Sequence, residues 1–234
     1  MRALRTACAA VAALVLAGCA AGAARSAPDP PANGRERAAL IRYAQKVLVD
    51  RCLAERGLTT TGKPSSPEES GRLQAALFGA GPTELSLTLP TGHTVRAHTD
   101  GCLAAARHTL YGDQRRWFRA EVTVNNLGAE AAARMRADPA HRAARARYIR
   151  CLDSAGELRT GARDRAVEQG CRRGSGLASV EARLESAELA QVRSLRRDQL
   201  TVHERLRTSA LHRAAEISAA HHHGNTPEKG SSSP

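Results

Sequence analysis

The chain of 234 residues carries 35 Lys and Arg against 23 Asp and Glu, a formal net charge of +12 at pH 7, and only 3% of its residues are aromatic. Alanine and leucine dominate its apolar content. This composition favours helices over a β-sandwich or barrel, which would need more Val, Ile, Tyr and Phe. The length suffices for one or two domains with a buried core. We therefore expect a mainly α protein.

The chain begins with a positively charged segment that contains Arg2 and Arg5, followed by an apolar stretch over residues 7–17. That stretch is too short to cross a bilayer, which needs about 20 apolar residues. It ends in Leu16–Cys19, of sequence Leu-Ala-Gly-Cys, which resembles the lipobox of bacterial lipoproteins. The resemblance implies that residues 1–18 are a signal peptide and that cleavage leaves Cys19 as an acylated N-terminus.

A lipidated Cys19 would anchor the protein in the bilayer, with palmitate-type chains, on the extracytoplasmic face of the cell membrane. The alternative is ordinary secretion, because Ala21–Ala23 matches an A-x-A cleavage site and cleavage there would leave a soluble chain. Residues 19–34 contain small residues and three prolines. They are typical of a flexible tether between an anchor and a folded domain, for which we expect residues 35–220.

The positive charge is almost entirely arginine, since the only lysines are Lys46, Lys63 and Lys229. Two explanations stay open. The arginines attract anionic envelope polymers or lipid head groups, or a GC-rich genome encodes arginine and alanine freely. The sequence contains no basic run with interleaved aromatics, so we expect no nucleic-acid partner. An anionic envelope polymer or a surface protein is the expected kind of partner.

The first half of the domain predicts two helices, a hairpin and a third helix. Apolar residues at helical spacing predict a helix over 35–56, and Ser66-Pro67 predicts the start of a second helix that ends near Gly79. Alternating residues over 83–89 and 94–98, joined by a Pro-Thr-Gly turn, predict one small β-hairpin. Asp100 is expected to cap a helix that runs to Tyr111.

The second half predicts a helix over 113–137, whose middle is weakened by Val122–Asn126, and further helices over 139–156 and 160–171. One long helix follows over 177–219, with apolar residues near heptad spacing. We expect this long C-terminal helix to pack as an antiparallel arm against another helix, rather than to expose a coiled-coil surface. Residues 221–234 are short, polar and of low complexity, which predicts a disordered tail.

Four of the six cysteines remain once the signal peptide is removed with Cys8 and Cys19 is acylated. An even number in an oxidising compartment predicts two disulfides. The four cysteines are Cys52, Cys102, Cys151 and Cys171. Arg-Cys-Leu-x-x-x-Gly occurs at 51–57 and again at 150–156, and a Gly-Cys pair follows each copy. The repeat suggests a duplication with parts 35–112 and 139–220, and it favours the pairs Cys52–Cys102 and Cys151–Cys171. Without a Cys-x-x-Cys pair, zinc and redox chemistry are weak alternatives.

The repeated Cys-Leu-x-x-x-Gly, the segments 100–102 and 110–112 and the long charged final helix resemble a group of uncharacterised exported lipoproteins of actinobacteria. That group more often has methionine where this chain has Leu53 and Leu152, and an aromatic residue where this chain has Leu58 and Glu157. The resemblance implies an extracytoplasmic location and structural disulfides, and it implies no activity.

No nucleophile elbow, P-loop, dinucleotide-binding or HExxH motif occurs in the sequence, so we expect neither an enzyme nor a cofactor. The best polar cluster is His93, His98 and Asp100, which would be the metal ligands of a cell-wall hydrolase. Their spacing does not match the zinc carboxypeptidases of that compartment, and on a strand positions 93 and 98 point to opposite faces. We favour polar residues on an exposed hairpin.

Two other polar groups have simple alternatives. The three histidines at 221–223, together with His212, would bind a transition metal weakly, or the histidine run has no function. Glu181, Glu185 and Glu188 are expected to form a solvated helix face near Arg183 and Arg193.

The sequence leaves three hypotheses for function. In order of preference, the protein is a binding or structural lipoprotein of the envelope, a wall hydrolase that uses the hairpin, or a metal-binding lipoprotein that uses the tail.

Overall fold

The computed structural model describes residues 29–62, 64–155 and 165–224. Within this part of the chain the protein is helical with one two-stranded antiparallel hairpin, which confirms the predicted fold class. The elements are α1 Gly34–Glu55, α2 Pro67–Phe78, β1 Leu85–Thr88, β2 Thr94–Ala97, α3 Cys102–Tyr111, α4 Gln114–Asn125, α5 Leu127–Ala137, α6 Pro139–Ser154, α7 Arg165–Gly174, α8 Leu177–Leu195 and α9 Arg197–Gly224. In the described residues no helix combines the length and the apolar character needed to cross a membrane.

Side-chain caps explain where several helices begin. The side chain of Ser66 accepts a hydrogen bond from the backbone of Glu69, and Pro67 occupies the first turn of α2, as the sequence predicts. Asn33 caps α1 in the same way by accepting from the backbone of Glu36 at 2.8 Å. The Asp138 carboxylate accepts two backbone N–H groups at the start of α6. These caps satisfy N–H groups that the first helical turn leaves unpaired.

Both long predicted helices are broken at one residue. The helix expected over 113–137 divides into α4 and α5 at Asn126, whose side chain donates to the carbonyl of Val122 at 2.7 Å. The helix expected over 177–219 divides into α8 and α9 at Arg196. The guanidinium of Arg196 donates to both carboxylate oxygens of Glu130, at 2.9 and 3.1 Å. This ion pair brings the break between α4 and α5 close to the break between α8 and α9.

The C-terminal boundary of the domain needs correction. Residues 221–224, expected to begin the disordered tail, belong to α9. Tyr43 of α1 holds this last turn, because its hydroxyl pairs with Nδ1 of His221 at 3.1 Å and its ring stacks on that of His222. The rest of the predicted tail, 225–234, and residues 1–28, which include Cys19, lie outside the described residues.

Among the described residues the core has three parts, two of which contain residues of α8 or α9. The largest joins α9 to α1, α3 and α4, and the second joins α1, α2 and α3. In the first, Ala44, Ala210 and Ala214 are fully buried, so small side chains let α1 and α9 approach closely. The third joins α5 to α8, which run antiparallel with Arg134 paired to Glu188 at 2.7 Å. The long helical region therefore packs along its length.

Each of two disulfides joins one helix to a later one. Cys52 near the end of α1 is bonded to Cys102, the first residue of α3, with a Cα–Cα distance of 5.7 Å. Cys151 near the end of α6 is bonded to Cys171 in α7, with a Cα–Cα distance of 5.6 Å. These are the pairs that the repeated motif favours. The second cysteine of each pair lies at a different place in its helix, because Cys102 begins α3 whereas Cys171 lies near the end of α7.

The end of α2 lies directly against the start of α3. A Cβ atom at Gly101 would lie 2.5 Å from the backbone nitrogen of Gly79 and 2.9 Å from the carbonyl oxygen of Leu77. Gly101 also has φ of +87°, a conformation that disfavours residues with a side chain. Glycine is therefore needed here for space as well as for backbone conformation.

We expect Gly101→Ala to lower the free energy of unfolding by more than about 2 kcal/mol, because backbone strain adds to a clash with backbone atoms. Gly57→Ala should cost less, about 1 kcal/mol, since φ is +67° there but nothing lies within 4 Å of the added Cβ. Gly128→Ala, within α5 and also unobstructed, should be neutral or stabilising. Urea unfolding of the three variants checks this order, and equal effects at positions 101 and 57 would contradict it.

Candidate functional site

The corner between α3 and α4 holds a stack of aromatic rings in a chain that has few of them. Tyr111 ends α3, and Trp117 lies one turn inside α4. Their rings stack with centroids 3.5 Å apart and planes 8° apart. The ring of His203, from α9, stacks on Trp117 with a centroid distance of 5.2 Å. All three residues are buried, so they form a rigid wall of stacked rings.

An acidic side chain extends this wall. Glu121 lies four residues after Trp117, on the same face of α4. One of its carboxylate oxygens is 2.8 Å from Nε2 of His203. Burial raises the pKa of the Tyr111 phenol above its ordinary value of 10, and the nearby Glu121 carboxylate adds to the increase. Tyr111 therefore stays neutral at physiological pH.

Two cavities adjoin this wall and together form what we call the aromatic cleft. The helical cavity, of about 370 Å³, lies between α1, α4 and α9. The hairpin cavity, of about 380 Å³, lies between β2, α3 and α4. Both are in the size range of small-molecule sites, roughly 300–1,000 Å³. The residues that line both cavities are Gln45, Tyr111, Trp117, Glu121 and Asn125.

The charges that line the cleft are mainly positive. Arg42 and Arg207 line the helical cavity, and Arg96 and Arg107 line the hairpin cavity. Within the described part of the chain, none of the four has a hydrogen-bond or salt-bridge partner, although Arg134, Arg172 and Arg196 all pair with carboxylates elsewhere. Glu121 is the one acidic side chain among the described residues that line either cavity. The cleft therefore offers unpaired guanidinium groups beside apolar rings.

The residues expected for a wall hydrolase are only partly brought together. His98 Nδ1 lies 3.6 Å from an Asp100 carboxylate oxygen. His93 precedes β2 and His98 follows it, so about 16 Å of extended chain separates them at roughly 3.3 Å per residue. Among the described residues, no group of three or more His, Cys, Asp or Glu side chains is placed to hold a metal ion. His98 instead lines the hairpin cavity.

The prediction that Asp100 caps α3 is wrong. The N-cap residue is Gly101, and it makes no side-chain hydrogen bond. The Asp100 carboxylate faces the segment after α2, where it accepts backbone N–H groups of Ala80 at 2.9 Å and Gly81 at 3.0 Å. These two hydrogen bonds lower the pKa of Asp100 below its ordinary value of 3.8. Asp100 therefore ties the loop after α2 to the start of α3.

The lowered pKa of Asp100 predicts a pH-dependent contribution to stability. A carboxyl whose pKa is lower in the folded state stabilises the fold above its ordinary pKa of 3.8, and this is lost as pH falls through the lower folded value. Asp100→Asn should therefore be less stable than the native chain at pH 6, with the difference narrowing below about pH 4. Urea midpoints between about pH 2 and 6 test this. Asp153→Asn, at an exposed position, is the control, and an equal pH dependence of both variants would contradict the assignment.

Two of the three glutamates that were predicted to form a solvated face of α8 are instead half-buried. Glu181 and Glu188 are half-buried and pair with arginines of other helices, Arg172 and Arg134, rather than with Arg183 and Arg193. Only Glu185 is exposed as expected. The metal hypothesis for His212 and His221–His223 stays a prediction. His212 is exposed, whereas the ring of His221 pairs with Tyr43 as described above.

Comparison of the chain with protein-family models, with curated proteins and with solved structures found no match. The aromatic cleft was not predicted from the sequence. One local signal was available, because three of the six aromatic residues, Tyr111, Trp117 and Phe118, fall within eight positions. The contribution of His203 was not visible, since it lies 82 residues from Glu121.

Proposed function

We propose that the protein is a lipid-anchored extracytoplasmic binding protein whose ligand occupies the aromatic cleft. The observation that carries the binding role is the pair of adjoining cavities that share one wall of stacked rings. Small-molecule sites typically combine apolar and aromatic walls with a few polar groups that orient the ligand. The cleft has this composition, with Gln45 and Glu121 on the shared wall.

The anchoring part of the proposal rests on the segment Leu16–Cys19 and the tether that follows it. Two disulfides support an oxidising compartment, because such bonds are rare in the cytosol. Metabolic labelling with an alkyne analogue of palmitate tests the anchor. Cys19→Ala should abolish labelling, whereas Cys8→Ala, within the proposed signal peptide, should retain it. Labelling that survives Cys19→Ala would refute acylation at this residue.

The binding part can be tested with a variant that fills the cleft. Gln45 lines both cavities and its side chain makes no hydrogen bond among the described residues, so Gln45→Phe should obstruct the cleft without removing a core contact. The chain has a single tryptophan, Trp117, in the shared wall. Its fluorescence therefore reports on this site without interference from other tryptophans.

The measurement is a screen of ring-containing fragments by Trp117 fluorescence. We expect fragments that change the signal of the native chain and lose their effect in Gln45→Phe. Gln191→Phe, at an exposed position of α8, is the matched control and should behave like the native chain. A cleft that responds to no fragment, or responses that Gln45→Phe leaves unchanged, would contradict a binding function for this site.

A further inference from the structure

We infer that the aromatic cleft selects free organic anions in which a carboxylate or phosphate group is attached to a ring-bearing body. The ring would lie in the hairpin cavity, and the anionic group would pair with Arg96 and Arg107. This inference rests on the proposed binding function and adds the chemical class of the ligand.

Apolar and aromatic side chains line much of the hairpin cavity. Leu85 and Val95, from the two strands, line this cavity together with Phe118 and Val122 of α4 and with the stacked rings of Tyr111 and Trp117. Tyr111 stays neutral at physiological pH and adds no negative charge to this wall, where Glu121 is the one acidic side chain among the described residues. A planar or cyclic body of modest size gains favourable burial against such walls.

Two arginines on separate elements supply the positive charge of the hairpin cavity. Arg96 belongs to β2 and Arg107 to α3, and both line the hairpin cavity without a partner in the described part of the chain. Guanidinium groups donate two parallel hydrogen bonds to a carboxylate or phosphate, which makes arginine well suited to these groups. Because the two arginines line the same cavity from different elements, the inferred anion would pair with both.

The same charges disfavour a cationic ligand. The one acidic group among the described lining residues, Glu121, is already hydrogen-bonded to His203. Arg42 and Arg207 add further positive charge in the adjoining helical cavity. A cation entering the cleft would therefore meet four unpaired guanidinium groups and a single carboxylate, which is already bonded to His203 through one oxygen, whereas an anion would be attracted from outside the protein.

The test compares ligands that differ only in charge. The full-length protein is placed in nanodiscs of zwitterionic lipid and titrated with 3-phenylpropionate, 3-phenylpropionamide, 3-phenylpropylamine and phenyl phosphate, with Trp117 fluorescence as the signal. We expect the carboxylate or the phosphate to bind at least about tenfold more tightly than the amide, as a charge-assisted hydrogen bond predicts. The amine should bind more weakly than the amide, and added salt should weaken only the anions.

Variants assign the effect to the hairpin cavity. Arg107→Gln should reduce the affinity for 3-phenylpropionate to that for the amide, while leaving the amide unchanged. Arg183→Gln, on the exposed face of α8, is the matched control and should retain the native preference. An equal loss in both variants would show that general surface charge, rather than this cavity, attracts the anion, and it would overturn the inference.

The remaining outcomes separate the two proposals. Equal affinity for the carboxylate, the phosphate and the amide would overturn anion selection while leaving the binding function intact. No response to any of the four compounds, together with a failed fragment screen, would overturn both. Displacement of 3-phenylpropionate by vesicles of phosphatidylglycerol would assign the site to a lipid head group and contradict a free ring-bearing anion.

Discussion

Replacing both Cys52 and Cys102 by alanine is expected to lower the free energy of unfolding by about 4 kcal/mol, compared with about 3 kcal/mol for the pair Cys151 and Cys171. The reason is the length of chain that each bond closes. Cys52 and Cys102 are 50 residues apart, whereas Cys151 and Cys171 are 20 apart. A longer loop loses more entropy in the unfolded chain when it is closed, so its release destabilises the fold more.

Burial of the cysteines contributes little to this difference, because each pair has one buried and one half-buried member. Cys102 is 0% exposed and Cys171 is 5% exposed, whereas Cys52 and Cys151 are both half-buried. The difference in loop length is therefore the main cause. Urea unfolding of the two double variants under oxidising conditions gives both free energies, and the slope of each transition shows whether the unfolded state has expanded. A larger loss for the Cys151 and Cys171 pair would contradict this account.

The sequence was most informative where local chemistry determines the structure. Ser66 and Pro67 predict the start of α2 because a hydroxyl cap and a fixed φ act within one turn. The hairpin was predicted from two alternating stretches joined by a short turn, and the structure pairs Leu85 with Ala97 and Thr88 with Thr94 in that arrangement. Each of these features depends on residues fewer than about fifteen positions apart.

Errors arose where distant residues decide the outcome. A continuous apolar stripe predicts one long helix over 177–219, but it contains no signal for the break at Arg196. That break lies where Arg196 pairs with Glu130, 66 residues earlier in the chain. Asp100 has the right chemistry for a helix cap, yet it binds the backbone at positions 80 and 81, because α2 ends directly against α3. Neither contact can be inferred from helix propensity or periodicity.

The candidate site also combines a part that local sequence determines with a part that depends on distant residues. Tyr111 and Trp117 are six positions apart, and the turn between α3 and α4 brings their rings together, so this part of the site has a local origin. His203 and Arg207 reach the cleft only because α9 packs against α1 and α4. Four arginines from four elements line the cleft, and the sequence shows them only as part of a general arginine excess.

The second large effect concerns the leucine that follows the first cysteine of each repeated motif. Leu53→Ala is expected to lower the free energy of unfolding by about 2–5 kcal/mol, since Leu53 is 0% exposed and its removal leaves a cavity between α1, α2 and α3. Leu152 occupies the same motif position in the second copy but is only half-buried. Leu152→Ala should therefore cost clearly less.

Leu195→Ala is the control for these two substitutions, because Leu195 is 58% exposed at the end of α8 and its truncation should change stability by no more than about 0.5 kcal/mol. Urea unfolding at one pH should give the order Leu53, Leu152, Leu195. The comparison also bears on the suggested duplication of 35–112 and 139–220. If the two parts kept equivalent cores, Leu152→Ala would cost as much as Leu53→Ala. In the structure both copies of the motif form a disulfide, but only the first copy buries its leucine completely. We therefore expect unequal costs for the two leucine substitutions.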